Sequence, residues 1–493
     1  MGVSDLKRKT VNGFFWSSLE SVFSQGQGMI FGIFLARMLS PREFGLIGMI
    51  TIFISIAQVF VDSGLSQSLI RKQTCTNLDF STVFWINIVV GIFAYVLIWF
   101  SAPLIAGFYG KPELVLLTRV TALAIIIGSV TLIQQTKLTK EIDFKTLTKS
   151  STIGTFVSGV VSIILAFYGY GVWSLVWRTI INQAVRSAIM WNHNKWLPKL
   201  YFNKTIFKEH FAFGSNILII SLVAALYKNF YNLIIGKTYS DTVLGYYTNA
   251  DQYSTMPSST ISSITNKVSF PVLSEMQDDD ERLKKSISKL ITTVMYLSFV
   301  IMFGLAAIAK PLFLVVLGSK WLPSVLIFQV LCIAYAIVPM HVINHNIMKI
   351  KGRSDLFMRT EIIKYVMFTP LLILGAVYGM NVLIAGIVVF YWIGFLINAM
   401  YSKRLIDFSI LSQSLSFIPV MGMAFVASIL TWSLGLFFSP AKILLLAMQV
   451  VLYPTLIVIF SMIFKVDAFF EVKQILLNKF TMANLIKTIN KTK

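Results

Sequence analysis

Residues 81–107 read STVFWINIVVGIFAYVLIWFSAPLIAG, a run of 27 residues without a charged side chain. An α-helix rises about 1.5 Å per residue, so about 20 apolar residues suffice to cross the hydrocarbon core of a bilayer. Similar runs recur along the whole 493-residue chain, of which 56% is hydrophobic and only 13% is charged. One soluble core cannot bury so much apolar surface, so the sequence predicts an all-α integral membrane protein.

Fourteen apolar segments predict fourteen transmembrane helices. The predicted ranges are 11–38, 41–63, 81–107, 113–134, 150–168, 170–191, 208–236, 241–270, 286–309, 322–346, 357–378, 380–401, 411–437 and 441–464. The eighth range is rich in Ser, Thr, Asn and Tyr, so this helix cannot face lipid on every side and must face protein or a water-filled cavity. Residues 466–493 carry apolar side chains near helical spacing between lysines, which predicts an amphipathic helix on the cytoplasmic leaflet.

Lysine and arginine concentrate in alternate loops between the predicted helices. With the N-terminus inside, 31 of the 42 lysines and arginines fall in inside segments and seven in outside loops. Because cytoplasmic loops carry the excess positive charge, both termini are predicted to be cytoplasmic. The first apolar segment contains Glu20 and Gln25 and has no convincing cleavage site, so it is predicted to be a retained helix. The net charge of +21 thus suits an anionic leaflet, and nucleic acid is not a predicted partner.

The first twelve predicted helices form two blocks of six that resemble each other. Ten positions correspond between the blocks, and their offsets drift slowly from 200 to 210. The pairs are Ser40/Ser240, Phe44/Leu244, Gly45/Gly245, Pro103/Pro311, Leu104/Leu312, Gly110/Gly318, Ala166/Ala376, Tyr168/Tyr378, Gly169/Gly379 and Val172/Val382. Each group of pairs falls at the same predicted outer helix end, which indicates an internal duplication.

The duplication defines the predicted domains. They are an N-terminal six-helix lobe (1–191), a cytoplasmic linker (192–207), a C-terminal six-helix lobe (208–401), two additional helices (402–465) and the cytoplasmic amphipathic tail (466–493). An even number of helices per lobe makes the repeats parallel, so they should be related by an axis along the membrane normal. A cleft between two such lobes can open to each side of the membrane in turn, which predicts alternating access.

Seven of the charged side chains within the predicted spans are candidates for function. They are Glu20, Asp62, Arg119, Arg178, Lys228, Asp251 and Lys267. A charge at mid-bilayer costs about 2.5–3.5 kcal/mol or more, so it persists where it faces a hydrated cavity or a partner. Most of the seven lie in the first, second, seventh and eighth helices, which predicts that these helices line the cleft. The alternative is pairing between helices, or snorkelling of the charges that lie near helix ends.

Residue type suggests a role for each part of this set. Arginine and lysine suit an anionic head group such as pyrophosphate, and carboxylates can exchange a coupling proton or bind Na⁺. Aromatic and amide side chains of the eighth helix can contact sugar or merely pack between helices. Predicted substrate contacts are Lys228, Arg178, Lys267, Tyr247 and Asn249, and predicted coupling or gating residues are Glu20, Asp251 and Asp62.

The sequence contains no convincing motif for nucleotide binding, metal binding or catalysis. Gly236-Lys237-Thr238 resembles the end of a P-loop, but Tyr231 occupies the position of the motif's first glycine. His341 and His345 share a helix face, and without a nearby acidic partner they favour polar packing at a helix end over a metal site. The short outer loops argue against the remaining enzymatic alternative, a membrane glycosyltransferase or polymerase. No enzyme and no cofactor is predicted, apart from a coupling H⁺ or Na⁺.

Three stretches resemble a known family. FLARMLSPREFGL at 34–46 resembles the junction of the first and second helices in Wzx-type polysaccharide flippases. DSGLS at 62–66 and FPVLS at 270–274 resemble segments at the ends of the second and eighth helices of the same family. These proteins form the polysaccharide transport family of the multidrug/oligosaccharidyl-lipid/polysaccharide (MOP) exporter superfamily. The likeness covers nearly the whole chain, especially residues 10–405.

The resemblance implies a MATE-like fold of two lobes around a V-shaped cavity. It implies a flippase of the bacterial inner membrane that moves an undecaprenyl-pyrophosphate-linked oligosaccharide to the outer leaflet, for O-antigen, capsule or exopolysaccharide synthesis. The implied partners are this lipid-linked oligosaccharide, membrane lipids and the polysaccharide polymerase machinery. The alternative is a cation-coupled multidrug exporter of the same superfamily, for which a smaller and more acidic or apolar cavity is expected; the basic residues argue against it.

Overall fold

The computed structural model describes residues 23–62, 64–437, 441–471, 473 and 474, and all regular elements within them are helices. The helices are α1 (23–38), α2 (Pro41–Asp62), α3 (Leu65–Arg71), α4 (Asn77–Tyr109), α5 (Leu114–Thr121), α6 (Leu123–Lys140), α7 (Phe144–Phe167), α8 (Trp173–Asn194), α9 (Lys204–Thr238), α10 (Asp241–Ser274), α11 (Asp280–Val316), α12 (Ser324–Tyr335), α13 (Val338–Ile350), α14 (Ser354–Tyr378), α15 (Met380–Ile406), α16 (Ile410–Phe437) and α17 (Lys442–Ile463), with a 3₁₀ turn at Ser319–Trp321. Each predicted span overlaps one or two of these helices, so the all-α prediction is confirmed.

Eleven segments in the described part of the chain are long and apolar enough to cross a membrane. The other three predicted spans correspond to α1, α8 and α10. The first predicted span is described only over residues 23–38, and α8 and α10 carry many polar side chains. A polar helix at membrane depth has to be covered by protein or by water, so α8 and α10 are the helices beside which a polar path is expected.

Two of the predicted helices are each divided in two. The span predicted at 113–134 consists of α5 and α6, which meet at Ala122. The span predicted at 322–346 consists of α12 and α13, which meet at Ala336 and Ile337. Apolar residues continue across both breaks, so hydropathy does not reveal them. The two breaks occur in the fourth helix of each repeat, which is consistent with a duplicated fold.

Several helices begin earlier than hydropathy predicts because polar caps hold their first turns. Asp79 of α4 accepts the backbone N–H and the hydroxyl of Thr76, each at 2.7 Å, and Thr76 Oγ1 accepts the Asp79 N–H at 3.3 Å. At the start of α11, Asp279 accepts the backbone N–H of Arg282 at 3.0 Å. The apolar run marks the hydrocarbon core, whereas the capped helix continues into the polar interface.

The chain divides into two compact units, one ending at Asn249 and the other beginning at Ala250. In the N-terminal unit, α6 packs against α4 and α8, and α7 packs against α8. In the C-terminal unit, α12 packs against α11 and α15, and α14 packs against α15. The repeated packing order supports the duplication. The predicted domain ranges follow the sequence repeat and stay a prediction, since α9, which begins the second repeat, packs against α2 and α3 in the N-terminal unit.

The two additional helices and the tail follow the second repeat. Both α16 and α17 pack against α11 and against each other. The rings of Phe299 in α11 and Phe417 in α16 are fully buried, with centroids 5.7 Å apart. Residues 467–471 of the predicted amphipathic tail are helical, and residues 475–493 lie outside the described residues.

The first turns of α2 and α10 cross at two glycines within the N-terminal unit. A Cβ atom added to Gly45 would lie 1.7 Å from the carbonyl oxygen of Asp241. A Cβ atom added to Gly245 would lie 1.8 Å from the carbonyl oxygen of Pro41. The repeat offset of 200 relates Pro41 to Asp241 and Gly45 to Gly245, so the crossing has approximate two-fold symmetry. Glycine allows the helix backbones to approach this closely.

Replacing Gly45 by alanine is expected to destabilise the N-terminal unit. The added methyl group overlaps a backbone atom, so the two helices have to separate, at a cost of about 3 kcal/mol. The measurement is the thermal unfolding midpoint, Tm, of the purified protein in detergent. Gly107→Ala in α4 is the matched control, because a Cβ there meets open space. Alanine also has the higher helix propensity, so the control should not lower Tm. Equal Tm values for the two variants would contradict the crossing.

Candidate functional site

Ion pairs and a cap fix the first turn of α10. Ser240 Oγ accepts the backbone N–H of Val243 at 3.1 Å. Asp241 Oδ2 lies 2.6 Å from Lys111 Nζ and 3.3 Å from Arg42 Nε. The Asp241 side chain is only 7% exposed, so these pairs are better shielded from water than ordinary surface pairs. They hold the start of α10 against α2 and against the segment between α4 and α5.

Tyr247 and Asn249 of α10 are both buried in the N-terminal unit. The Tyr247 ring lies nearly parallel to the Tyr231 ring of α9, with centroids 6.1 Å apart and 23° between the planes. Asn249 is 1% exposed, and neither its Nδ2 nor its Oδ1 finds a hydrogen-bond partner among the described residues. An unsatisfied buried polar group costs about 1–3 kcal/mol. Such a group calls for a partner in a ligand or in ordered water, which makes Asn249 a stronger candidate for a substrate contact than Tyr247.

Asp251 belongs to the C-terminal unit. Its carboxylate accepts the phenol O–H of Tyr335 from α12 and the hydroxyl of Thr255, the latter at 3.3 Å. The Tyr335 ring packs edge-on against Tyr391 of α15, with centroids 5.2 Å apart. Hydroxyl groups can rotate when a carboxylate gains a proton. The geometry is therefore compatible with the coupling role of Asp251, which stays a prediction.

The three predicted cations occupy different environments. Arg178 of α8 is half-buried, and its Nη2 donates to the carbonyl oxygen of Gly28 in α1 at 3.3 Å. Lys267 of α10 is half-buried in the C-terminal unit. Lys228 is exposed and is the twelfth residue of the 22-residue span Ile217–Thr238 in α9. Of these three, Lys228 is the one that combines exposure with a central position in a membrane span.

The remaining predicted charges do not form one site in the structure. Asp62 is exposed at the end of α2. The Arg119 guanidinium lies 4.4 Å from the centre of the Trp99 ring, and its Nε donates to the Trp99 carbonyl oxygen at 3.2 Å, which is structural pairing. Glu20 lies outside the described residues. The predicted residues are thus distributed over both units, and their roles stay predictions.

A buried polar network that the sequence analysis missed joins α3, α4 and α9. Asp79 Oδ1 lies 2.9 Å from Lys72 Nζ and 3.4 Å from His210 Nε2. His210 Nδ1 lies 2.8 Å from the hydroxyl oxygen of Ser68. Asp79 and His210 are 2% and 1% exposed, and the network lies at the predicted cytoplasmic end of the unit. A local pattern could not reveal it, because its members come from three segments of the chain.

A second buried network corrects two expectations. His345 does have an acidic partner, since its Nε2 lies 3.1 Å from Glu361 Oε1 of α14. Lys364, one of the lysines in the excess of positive charge predicted for the inside segments, is 6% exposed within α14 and pairs with Glu361. The sequence does contain a signal for this pair, because Glu361 and Lys364 lie three residues apart inside the predicted span 357–378. Within the described ranges, no group of three or more His, Cys, Asp or Glu side chains is arranged to hold a metal ion.

Comparison with known proteins identifies the family. The model of the family described as "Polysaccharide biosynthesis protein" matches residues 34–326, more than half of the chain. The chain belongs to this family. It is 27% identical to the teichuronic acid biosynthesis protein TuaB of Bacillus subtilis over 353 residues, which are 71% of this chain and 73% of TuaB. It is 23% identical to the lipopolysaccharide biosynthesis protein WzxC of Escherichia coli over 372 residues, 75% of this chain and 76% of WzxC.

The fold is similar to that of a solved flippase. The lipid II flippase MurJ, in an inward closed conformation, matches with a TM-score of 0.75 and 16% identity over 92% of this chain and 99% of MurJ. The predicted Wzx-like family and its MOP-superfamily fold are confirmed. This member of the family is therefore a multi-pass membrane protein and a transporter for polysaccharide biosynthesis, not an enzyme.

Replacing Asn249 by leucine is expected to raise stability and to lower transport. Leucine removes a buried unsatisfied amide, so Tm should rise, with about 1 kcal/mol gained in the free energy of unfolding. If the amide hydrogen-bonds to substrate, the loss of about 1.4 kcal/mol lowers export roughly tenfold. Tm is measured on purified protein, and export as surface polysaccharide of the native host.

The matched control for this substitution is Asn87→Leu in α4. Asn87 is 0% exposed, and both of its amide atoms also lack partners among the described residues. Because α4 is not among the helices predicted to line the cleft, this variant should gain stability and keep export. Normal export by Asn249→Leu would show that Asn249 does not contact the substrate.

Proposed function

We propose that this chain is a flippase that moves an undecaprenyl-pyrophosphate-linked oligosaccharide from the inner to the outer leaflet of the bacterial cytoplasmic membrane. The movement occurs by alternating access and supplies O-antigen, capsule or exopolysaccharide synthesis. One observation carries the proposal: a member of a polysaccharide biosynthesis transport family exposes a lysine, Lys228, at the centre of a membrane-spanning segment.

The position of Lys228 supports a hydrated path beside α9. An ammonium group in hydrocarbon costs about 2.5–3.5 kcal/mol or more. From mid-span, a lysine would have to reach across about half of a 30 Å core to meet interfacial water. An exposed lysine at this depth is therefore expected to face water inside the protein. A fixed cation in that water attracts an anionic head group, and pyrophosphate is the anionic part of the proposed substrate.

An apolar groove supports the lipid part of the substrate. It lies in the N-terminal unit between α2 and α4, has a volume of about 520 Å³, and includes Leu233 of α9 in its lining. Along α4 it extends from Val90 to Phe108, which is about 27 Å at 1.5 Å per residue. This length is comparable with the hydrocarbon core of about 30 Å. A polyprenyl chain can lie in such a groove while its head group enters a polar path.

The buried residues of α10 support the oligosaccharide part. Asn249 offers an amide donor and an acceptor without partners among the described residues. Tyr247 and Tyr231 add two stacked aromatic rings in the same unit. Binding sites for polar ligands combine such hydrogen-bonding groups with apolar surface. The alternative, a multidrug exporter, has less support, because the family is one of polysaccharide biosynthesis and a fixed cation repels cationic drugs.

The charge distribution supports the orientation of the proposed flippase. The excess of lysine and arginine in one set of loops favours both termini at the cytoplasmic face. The lipid-linked oligosaccharide would then arrive from cytoplasmic synthesis and be released to the polymerase machinery at the outer leaflet.

Replacing Lys228 by alanine is expected to reduce export sharply. Loss of a charged contact of about 1.5–3 kcal/mol weakens head-group binding roughly 10- to 100-fold. The host strain lacking its own copy of the gene is complemented with each variant. Surface polysaccharide and the lipid-linked oligosaccharide that accumulates in the inner leaflet are both measured.

Two controls make this experiment specific. Lys310→Ala removes an exposed lysine at the predicted outer part of α11 and should leave export unchanged. Lys228→Arg keeps the positive charge and should restore most of the export. If Lys228→Ala, present in the membrane at the normal level, exports as much polymer as the unmodified chain, the hydrated path beside α9 is wrong.

A further inference from the structure

A buried charged cluster lies between α13, α14 and α15 of the C-terminal unit. Its members are His341, His345, Glu361, Lys364 and Asn398. His341, Lys364 and Asn398 are 8%, 6% and 0% exposed, whereas the Glu361 and His345 side chains keep 22% and 16%. Ionisable side chains inside membrane helices are costly, and they mark ion and proton pathways by default.

The formal charges of this cluster balance when both histidines are neutral. The Lys364 ammonium pairs with Glu361 Oε1, and the same oxygen lies 3.1 Å from His345 Nε2. One carboxylate thus offsets one ammonium, and the imidazole beside them contributes no charge. A single added proton changes the formal charge of the cluster from zero to +1.

The partners of His341 hold it in one neutral form. Its Nε2 lies 2.9 Å from the backbone carbonyl oxygen of Tyr391, which can only accept, so Nε2 carries the hydrogen. Its Nδ1 lies 2.9 Å from Asn398 Nδ2, which can only donate, so Nδ1 offers its lone pair. Protonation of His341 would set two donors against each other, so this ring is the fixed part of the cluster.

His345 has a partner for each of its protonation states. Its Nε2 lies 3.1 Å from Asn398 Nδ2, a donor, and 3.1 Å from Glu361 Oε1, an acceptor. Without a proton, Nε2 accepts the second N–H of the Asn398 amide. With a proton, Nε2 donates to the Glu361 carboxylate. Protonation therefore exchanges a neutral Asn398 N–H···Nε2 bond for a charge-assisted Nε2–H···O bond to Glu361, and this stronger bond partly offsets the loss of an acceptor for the Asn398 N–H.

Neighbouring charges and rings surround this position. Lys349 of α13 and Lys364 act electrostatically on His345 with the opposite sign to Glu361. The Phe357 ring covers the His345 ring edge-on, with centroids 4.7 Å apart. From α10, Asp251 acts on Tyr391, the residue whose carbonyl oxygen holds His341.

The cluster lies close to one end of its helices. His345 precedes the end of α13 at Ile350 by five residues, and Glu361 follows the start of α14 at Ser354 by seven. These offsets correspond to depths of about 8 and 10 Å at 1.5 Å per residue. The charge distribution predicts that this end is cytoplasmic. Glu361 and His345, the two members that keep exposure, are therefore the ones that a proton from outside the cluster reaches first.

We propose that His345, held between Glu361 and Asn398, is a proton-binding site that couples substrate movement to the transmembrane proton gradient; the coupling rests on the proposed flippase function. A proton from water adds to the Nε2 lone pair of His345 in its Nδ1–H form. The resulting imidazolium donates to Glu361, and the reverse step returns the proton to water. His345 is not among the coupling or gating residues that the sequence predicts, which are Glu20, Asp251 and Asp62.

Proton binding is tested on the purified full chain, without substrate, by NMR of ¹⁵N-labelled histidine rings. The chain has four histidines, so four ring signals are expected, and each is assigned by a histidine-to-glutamine substitution. The His345 signal should titrate with pH, because its Nε2 lies 3.1 Å from the acceptor oxygen Glu361 Oε1. In Glu361→Gln, the transition should shift by about one pH unit or more, because the neighbouring charge is removed.

His193 is the matched control within the same spectrum. Its Nε2 lies 3.1 Å from Asp143 Oδ2, the same distance as in the His345–Glu361 pair, but its side chain is 53% exposed. The His193 signal should be unaffected by Glu361→Gln. A His345 signal that does not titrate in the unmodified chain, or that Glu361→Gln leaves in place, would overturn the proton site. The first of these results is measured on the unmodified chain, so it does not depend on whether a variant folds.

Coupling is tested by the dependence of export on external pH in the complemented host. The unmodified chain should export at a rate that changes with external pH and falls when a protonophore collapses the gradient. His345→Gln should lower export at least about tenfold. The remaining export should depend neither on external pH nor on the protonophore. His193→Gln should behave like the unmodified chain.

The two measurements separate the two proposals. If the unmodified chain moves no lipid-linked oligosaccharide while His345 titrates as expected, the flippase function fails and the proton site stands. If export is normal and responds to the gradient in His345→Gln, with Tm unchanged, the coupling role is overturned and the flippase function stands. A cluster that serves only to lock α13, α14 and α15 together would lower Tm in Glu361→Gln without changing the pH profile of export.

Discussion

Hydrocarbon offers no hydrogen bonds, and this constraint governs both the helices of the chain and the contacts between them. Every backbone N–H and C=O at membrane depth has to be satisfied within its own segment, which favours helices. Charged side chains obey the same rule. Asp79 is surrounded by Lys72, His210 and Thr76, and Glu361 by Lys364 and His345. Where a buried polar side chain such as Asn249 lacks a partner among the described residues, a ligand is the natural candidate.

The same constraint explains why two histidine–carboxylate pairs of similar geometry are expected to differ in function. His193–Asp143 and His345–Glu361 have equal nitrogen–oxygen distances of 3.1 Å. The first pair is exposed to water, where such contacts contribute about 0–1 kcal/mol. The second lies between membrane helices, where the cost of desolvation makes its protonation state consequential. The environment of the pair, and not its geometry, is what supports a coupling role.

The close crossing of α2 and α10 gives the polar residues of α10 a fixed frame. Gly45 and Gly245 allow the two backbones to meet, and Asp241 is held there by Arg42 and Lys111. Tyr247 and Asn249 follow within two turns of this fixed start. Precise positioning of binding residues favours such rigid elements over loops. The symmetry of the crossing agrees with the predicted duplication, whereas the ion pairs of Asp241 have no counterpart at Pro41.

The sequence by itself determined the class of protein, the approximate range of each predicted span and the family. These follow from local properties: a run such as 81–107 is long enough to cross a bilayer, and a stretch such as 34–46 carries the family likeness. Only the tertiary structure decided the breaks at Ala122 and Ala336, the burial of Asn249 and the pairing of Glu361 with His345. Burial and partner choice depend on which segments meet in space, and hydropathy averaged along the chain carries no information about that.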